Sequence, residues 1–154
     1  MLFKRYHIYP MSVGMKTYTR RNWKVPRASI GGTYPVTHKM IYKPEDIVGY
    51  IHVNQLYRQP IGMMTELDAY REGGYDLDTY KDVLIEINDH ASNYKPILTT
   101  TSLFVVGFTF SLSDTIDPNG GHLMMDEYKK EWEDHMALFK KRKETGTDNL
   151  WHEL

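Results

Sequence analysis

The run ILTTTSLFVVGFTFSLS at residues 97–113 holds 17 residues without a charge, and its reading decides the fold. As a helix rising about 1.5 Å per residue it spans roughly 25 Å, slightly short of a ~30 Å hydrocarbon core. Thr99, Ser102, Val106, Thr109 and Ser113 then fall on one stripe of small and hydroxylated side chains, of the kind that lets membrane helices pack closely. As a strand, Phe104, Val106, Phe108, Phe110 and Leu112 alternate with Val105, Gly107, Thr109, Ser111 and Ser113, the signature of a half-buried sheet element. Periodicity leaves the two readings level. Charge tips them toward a span: residues 1–96 carry 13 basic and 10 acidic groups, residues 114–154 carry 6 and 10, and the more basic side stays on the matrix or cytoplasmic face.

Upstream, residues 1–44 contain nine Lys or Arg and no Asp or Glu, so the remaining 110 residues hold ten basic groups and all 20 acidic ones. Pro10, Pro26, Pro35 and Pro44, with Gly31-Gly32 between them, leave no room for a long regular element, and residues 1–43 read as an extended basic arm. Such an arm serves as a targeting segment, as a contact for nucleic acid or anionic lipid, or as a solvated extension. Its presence from Met1 onward favours an arm that is kept. Arg20, Arg21, Trp23, Lys24 and Arg27 combine charge with a stacking aromatic, as nucleic-acid binders do. The acidic remainder would repel a phosphate backbone, so nucleic acid is not the expected partner.

Residues 44–95 read as a helical region. Pro44-Glu45-Asp46 is a good helix start, with Ile47, Val48, Ile51 and Leu56 as an apolar face ending before Pro60. A short helix over 65–71 is stopped by Gly73-Gly74, and Tyr80, Val83, Leu84, Ile87 and Ala91 recur at helical spacing behind Asp76 and Asp78. In the tail, residues 114–154, a turn at Asp117-Pro118-Asn119 precedes an amphipathic helix over 124–143 whose stripe is Met125, Tyr128, Trp132, His135, Met136 and Phe139, with Gly146 as its cap.

Catalytic and metal chemistry finds little support. Cys is absent, which removes thiolate zinc sites, disulfides and thiol nucleophiles. No two of the seven His stand at i,i+4 beside a Glu, and Glu131 with His135 is a single candidate ligand pair. Asp117 opens like a calcium loop, but His122 stands at its sixth position and Tyr128 at its twelfth. Asp76, Asp78 and Asp82 are explained by helix entry. GxGxxG, GKS/T and GxSxG motifs are missing. The expectation is a chain that is not itself an enzyme and holds no cofactor and no metal.

Glu86-Ile87-Asn88 with Tyr94-Lys95, then Phe104 with Gly107-Phe108-Thr109, then Tyr128 with Lys130-Glu131-Trp132, give an order of landmarks that resembles subunit IV of mitochondrial cytochrome c oxidase over residues 76–143. The tail, with Leu138, Lys140, Arg142 and Gly146 following Lys130-Glu131-Trp132, is also similar to the ESSS-type accessory subunit of respiratory complex I. Either resemblance implies a supernumerary, single-pass subunit of a mitochondrial inner-membrane respiratory complex, its N-terminus in the matrix and its C-terminal helix in the intermembrane space. The expected fold is mainly α, with an extended arm, short matrix-side helices, one transmembrane helix and the amphipathic tail. The expected partners are other subunits of the complex and inner-membrane lipid. Thr99, Ser102, Gly107, Thr109 and Ser113 would pack on a core membrane helix, and Tyr128, Trp132, Met136 and Phe139 would dock on the complex's outer face. The rival expectation is a soluble α+β protein, viral in origin, that binds a partner or nucleic acid. An enzyme gathering His52, His90 or His135 with carboxylates stands third.

Overall fold

The computed structural model describes residues 1–89, 97–113 and 121–145. Its strands are β1 (Tyr18–Arg21), β2 (Thr33–Val36), β3 (Gly49–Pro60) and β4 (Ser102–Leu112), and its helices are α1 (Ile8–Ser12), α2 (Glu66–Arg71), α3 (Leu77–Asp89) and α4 (Gly121–Thr145). The strands form one antiparallel sheet in the order β1-β4-β3-β2.

The uncharged run is therefore a strand, and its place in the sheet explains its composition. β4 is interior: it pairs with β1 from Phe104 to Gly107 and with β3 along its whole length. Residues 103–108 are buried without a break, so this stretch lacks the apolar-polar alternation of a one-sided strand and takes on the apolar continuity of a doubly covered one. Val106 and Phe108 pack into one core with Phe3, Ile8, Ile51 and Val53, while Leu103 joins a second core with Ile61, Tyr75, Val83 and Ile97. At roughly 1.5–3 kcal/mol for each fully buried aliphatic or aromatic side chain, this strand is a main source of cohesion. Gly107 has a packing reason: a Cβ there would stand 2.9 Å from Cβ of Gln55 and 3.0 Å from the Tyr18 ring.

Several expectations fall with that strand. The fold is mixed α+β rather than mainly α. Among the described residues no helix is long and apolar enough to cross a membrane, so the single-pass inner-membrane placement and the lipid contact lose their basis. The likeness to cytochrome c oxidase subunit IV and to the ESSS-type subunit depended on reading β4 as a span, and it goes too, together with the respiratory-complex function and partners drawn from it. The N-terminal residues are no loose arm, since β1 and β2 are sheet strands and the amide of Phe3 bonds to Thr37 O at 3.0 Å.

The helix expected from Pro44 is a single 3-10 turn, Pro44–Asp46, followed by β3. Helical spacing of Ile47, Val48 and Ile51 misleads because the true period is two: Gly49, Ile51 and Val53 are buried while Tyr50, His52 and Asn54 are exposed. Helices α2, α3 and α4 lie where their patterns put them. Thr65 caps α2, accepting from the amide of Asp68 at 3.2 Å while the Asp68 carboxylate accepts from the amide of Thr65 at 2.9 Å. Helix α4 carries Tyr128 into the first core and Phe139 into the second, tying the two together. The turn expected from Asp117, the cap at Gly146, Ala91 at the end of the α3 pattern, and Tyr94 and Lys95 lie outside the described residues.

Candidate functional site

Glu72 follows α2, and Gly73 and Gly74 turn the chain away behind it. Gly74 sits at φ +85°, and a Cβ on it would meet the sulfur of Met15 at 2.5 Å. This close approach lays residues 15–17 along the end of α2, where the amide of Thr17 bonds to Arg71 O at 2.8 Å. Lys16 is thereby aimed inward at Glu72, and β1 then presents Thr19, Arg20 and Arg21 beside it.

The result is a buried charge cluster. The Lys16 ammonium donates to Glu72 Oε2 at 3.0 Å, to Glu72 O at 2.8 Å and to Tyr18 O at 2.8 Å, which uses its three N–H bonds. Arg20 donates through Nη1 to Glu72 Oε1 and through Nη2 to Gln59 Oε1 at 2.6 Å, with Asp68 at 3.8 Å. Lys16 and Glu72 are 2% and 0% exposed, so one fully buried carboxylate serves two cations. Burial pulls the Lys16 ammonium below its usual pKa despite the opposing pull of Glu72. For Arg20 burial also opposes the charge, but Glu72, helped by Tyr80 and Asp68, outweighs it and the pKa rises.

Arg21 is bound differently. Its Nε donates to Thr19 Oγ1 at 3.1 Å, its Nη2 donates to Leu2 O at 2.6 Å, and its guanidinium lies 4.7 Å from the centre of the Phe3 ring. These partners are neutral, and burial lowers its pKa to about 10. Nε of Arg20 is an unspent donor, buried without a hydrogen-bond partner among the described residues.

Both arginines border a cavity of about 460 Å³ between the N-terminal segment, β1 and α3. Its lining carries four cations, Lys4, Lys16, Arg20 and Arg21, against one carboxylate, Glu72. Thr19, Asn22 and Asn88 add neutral polar groups, and Phe3, Tyr80, Leu84 and Ile87 add apolar walls. His7 and His38 complete the rim. The ring of His38 donates through Nδ1 to Phe3 O at 2.8 Å, which fixes its tautomer and lets Nε2 accept from the Tyr128 hydroxyl at 2.9 Å. Burial holds both histidines below the usual imidazole pKa, with Lys16 adding to the effect at His7.

None of the nine residues expected to bind a partner lines this cavity. Thr99 is exposed in the turn before β4, Ser102 begins that strand, Gly107 is interior, Thr109 is exposed on it, and Ser113 follows it half-buried. Tyr128 and Phe139 are core residues, Met136 packs against the second core, and the Trp132 indole lies 5.3 Å from the Tyr9 ring. His52 hydrogen-bonds Thr33 at 3.2 Å on the sheet, His135 packs in a groove under α4, and His90 lies outside the described residues. No group of three or more His, Asp or Glu suited to a metal is present among the described residues. The expectation against nucleic acid is corrected as well. It rested on the acidic majority repelling phosphate, whereas the fold gathers four basic side chains of the acid-free N-terminal stretch at one cavity. Two signals pointed there: three cations set among Thr and Tyr in the acid-free run Lys16-Thr17-Tyr18-Thr19-Arg20-Arg21, and a carboxylate directly before a glycine pair, Glu72-Gly73-Gly74.

No protein-family model matches the chain, and no curated protein matches it. Among solved structures it is similar to an ASCH domain from Lactobacillus crispatus JV V101, with a TM-score of 0.48 and 11% sequence identity over 68% of this chain and 69% of that one.

Proposed function

We propose that the cavity beside β1 binds an anionic, nucleotide-sized ligand, a phosphate ester with an aromatic base, taken free or as part of a single strand. The observation that carries this reading is Arg21, a cation at the cavity wall whose partners are all neutral. Guanidinium groups match phosphate geometry, and a phosphate would give Arg21 a directly hydrogen-bonded counter-charge, where Glu72 now acts on it without a hydrogen bond. The volume falls within the roughly 300–1,000 Å³ typical of small-ligand sites, and the lining of aromatic rings and amides offers a base both a stacking surface and hydrogen bonds. In this reading the chain holds its ligand and does not convert it.

Calorimetric titration with inorganic phosphate, a nucleoside monophosphate and a single-stranded oligonucleotide tests the proposal. The nucleoside monophosphate should bind more tightly than phosphate alone. If the strand is the ligand, its affinity should also fall with salt with a slope of about 0.7 per phosphate contacted. Absence of binding by all three would sink the reading.

Lys16 favours a second reading. An ammonium with a lowered pKa, 3.0 Å from a buried carboxylate at a cavity wall, is suited to proton transfer. Product formation from a bound nucleotide, lost in Lys16→Met while the ligand still binds, would turn the binding site into an active site.

A further inference from the structure

A second set of buried polar groups lies behind the cavity and takes no part in holding Arg20 or Arg21. His7 Nε2 is 2.8 Å from the Tyr75 hydroxyl, and the same hydroxyl is 2.7 Å from His135 Nε2. His7 borders the cavity, whereas His135 lines a separate groove between the N-terminal segment, α3 and α4. Tyr75, 2% exposed, bridges the two.

The hydrogen bonds impose a direction. A phenol has one proton to give, so Tyr75 can donate to only one of the two rings and must accept from the other. Burial keeps Tyr75 protonated by raising its pKa well above the usual value. Burial, with Arg142 adding to it, lowers the pKa of His135 to about 4, and His7 is lowered too, so both rings are neutral near pH 7. One imidazole therefore carries its proton on Nε2 and the other on Nδ1, and the mirror arrangement has the same number of hydrogen bonds.

We infer that His7, Tyr75 and His135 form a proton relay between the cavity and the groove on the far side of the chain. A proton from the cavity bonds to His7 Nδ1, and the His7 Nε2–H bond breaks as its proton passes to the Tyr75 oxygen. The original phenolic proton moves to His135 Nε2, and the proton on His135 Nδ1 leaves into the groove. One proton is delivered for one taken up, and the three groups finish neutral in the mirror arrangement. Among the described residues no hydrogen bond closes Nδ1 of either ring, so each end of the chain is open to the space it borders.

The two ends face unlike surroundings. Lys4, Lys16 and Arg21 surround His7 with positive charge, whereas the groove at His135 sets Glu86, Glu131 and Asp134 among cations, Arg5 pairing with Glu131 and Arg142 with Glu86. Tyr6 stacks flat on His135 at 3.6 Å and 4°, and Phe139 meets its edge at 5.0 Å, so the ring is held in register with Tyr75.

Long-range nitrogen–proton spectra of the ring-labelled protein at pH 7 test this without any ligand, so the outcome is separate from the binding proposal. In the wild type, exchange between the two arrangements should place Nδ1 and Nε2 of both His7 and His135 between the protonated and bare ring-nitrogen positions. Tyr75→Phe, which keeps the ring and removes the hydroxyl, should shift each histidine to a single tautomer. Fixed tautomers in the wild type, or an imidazolium at either position at pH 7, would overturn the relay. The wild-type spectrum decides even if Tyr75→Phe does not fold.

Discussion

Two ion pairs of equal length bracket the molecule's electrostatics. Lys16 reaches Glu72 at 3.0 Å with side chains 2% and 1% exposed, and Lys143 of α4 reaches Asp76 at the same 3.0 Å with side chains 42% and 53% exposed. The difference is solvent. The exposed pair gains little over water, which screens it and solvates either partner alone, whereas each partner of the buried pair depends on the other for the stability of its charge. The buried cluster is therefore where a single substitution reaches both the fold and the cavity.

The largest effect is expected at Glu72. Glu72→Gln keeps the shape but leaves Lys16 and Arg20 buried without a full counter-charge, and denaturant unfolding should show a loss of about 3–5 kcal/mol. Acid should act next. His135 titrates near 4 in the folded chain, below its unfolded value of about 6.5, so the unfolded state takes up the proton first as pH falls. The stabilisation is complete above the unfolded pKa and is lost as pH falls through about 4, amounting to roughly 3 kcal/mol at most. Thermal melts from pH 7 to 4 should show that decline, and His135→Gln should lessen it, the remainder coming from His7 and His38, whose pKa values burial also lowers. Gly74→Ala forces a side chain into φ +85° and against the Met15 sulfur, and a loss of about 1–3 kcal/mol is expected in the same unfolding assay. Smallest of all, Lys143→Ala should change stability by less than about 1 kcal/mol; a loss comparable to that of Glu72→Gln would erase the contrast between the two pairs.

The same contrast explains what the sequence discloses. Helices α2, α3 and α4 are legible because their signals are local: the Thr65 cap with Asp68, the spacing of Tyr80, Val83, Leu84 and Ile87, and the stripe from Tyr128 to Phe139. β4 is misread because an interior strand covered on both faces has no reason to alternate, and its uninterrupted apolarity imitates a membrane span. β3 hides behind Pro44-Glu45-Asp46, a sound helix start that goes no further than one turn. The cavity is the least legible feature, because Lys16 and Glu72 are 56 residues apart and each alone passes for a solvated charge. Only the pairing of β1 with β4, and the glycine turn that folds residues 15–17 along α2, bring them together.

Arg21 tests the account most directly, because it lies beside the buried cluster without being one of its ion pairs. A calorimetric titration of a nucleoside monophosphate into wild type and Arg21→Gln should show binding by the first and a roughly tenfold to hundredfold loss in the second, the size expected for one charge-assisted hydrogen bond. Equal affinity in the two proteins would contradict the assignment of the cavity as an anion site.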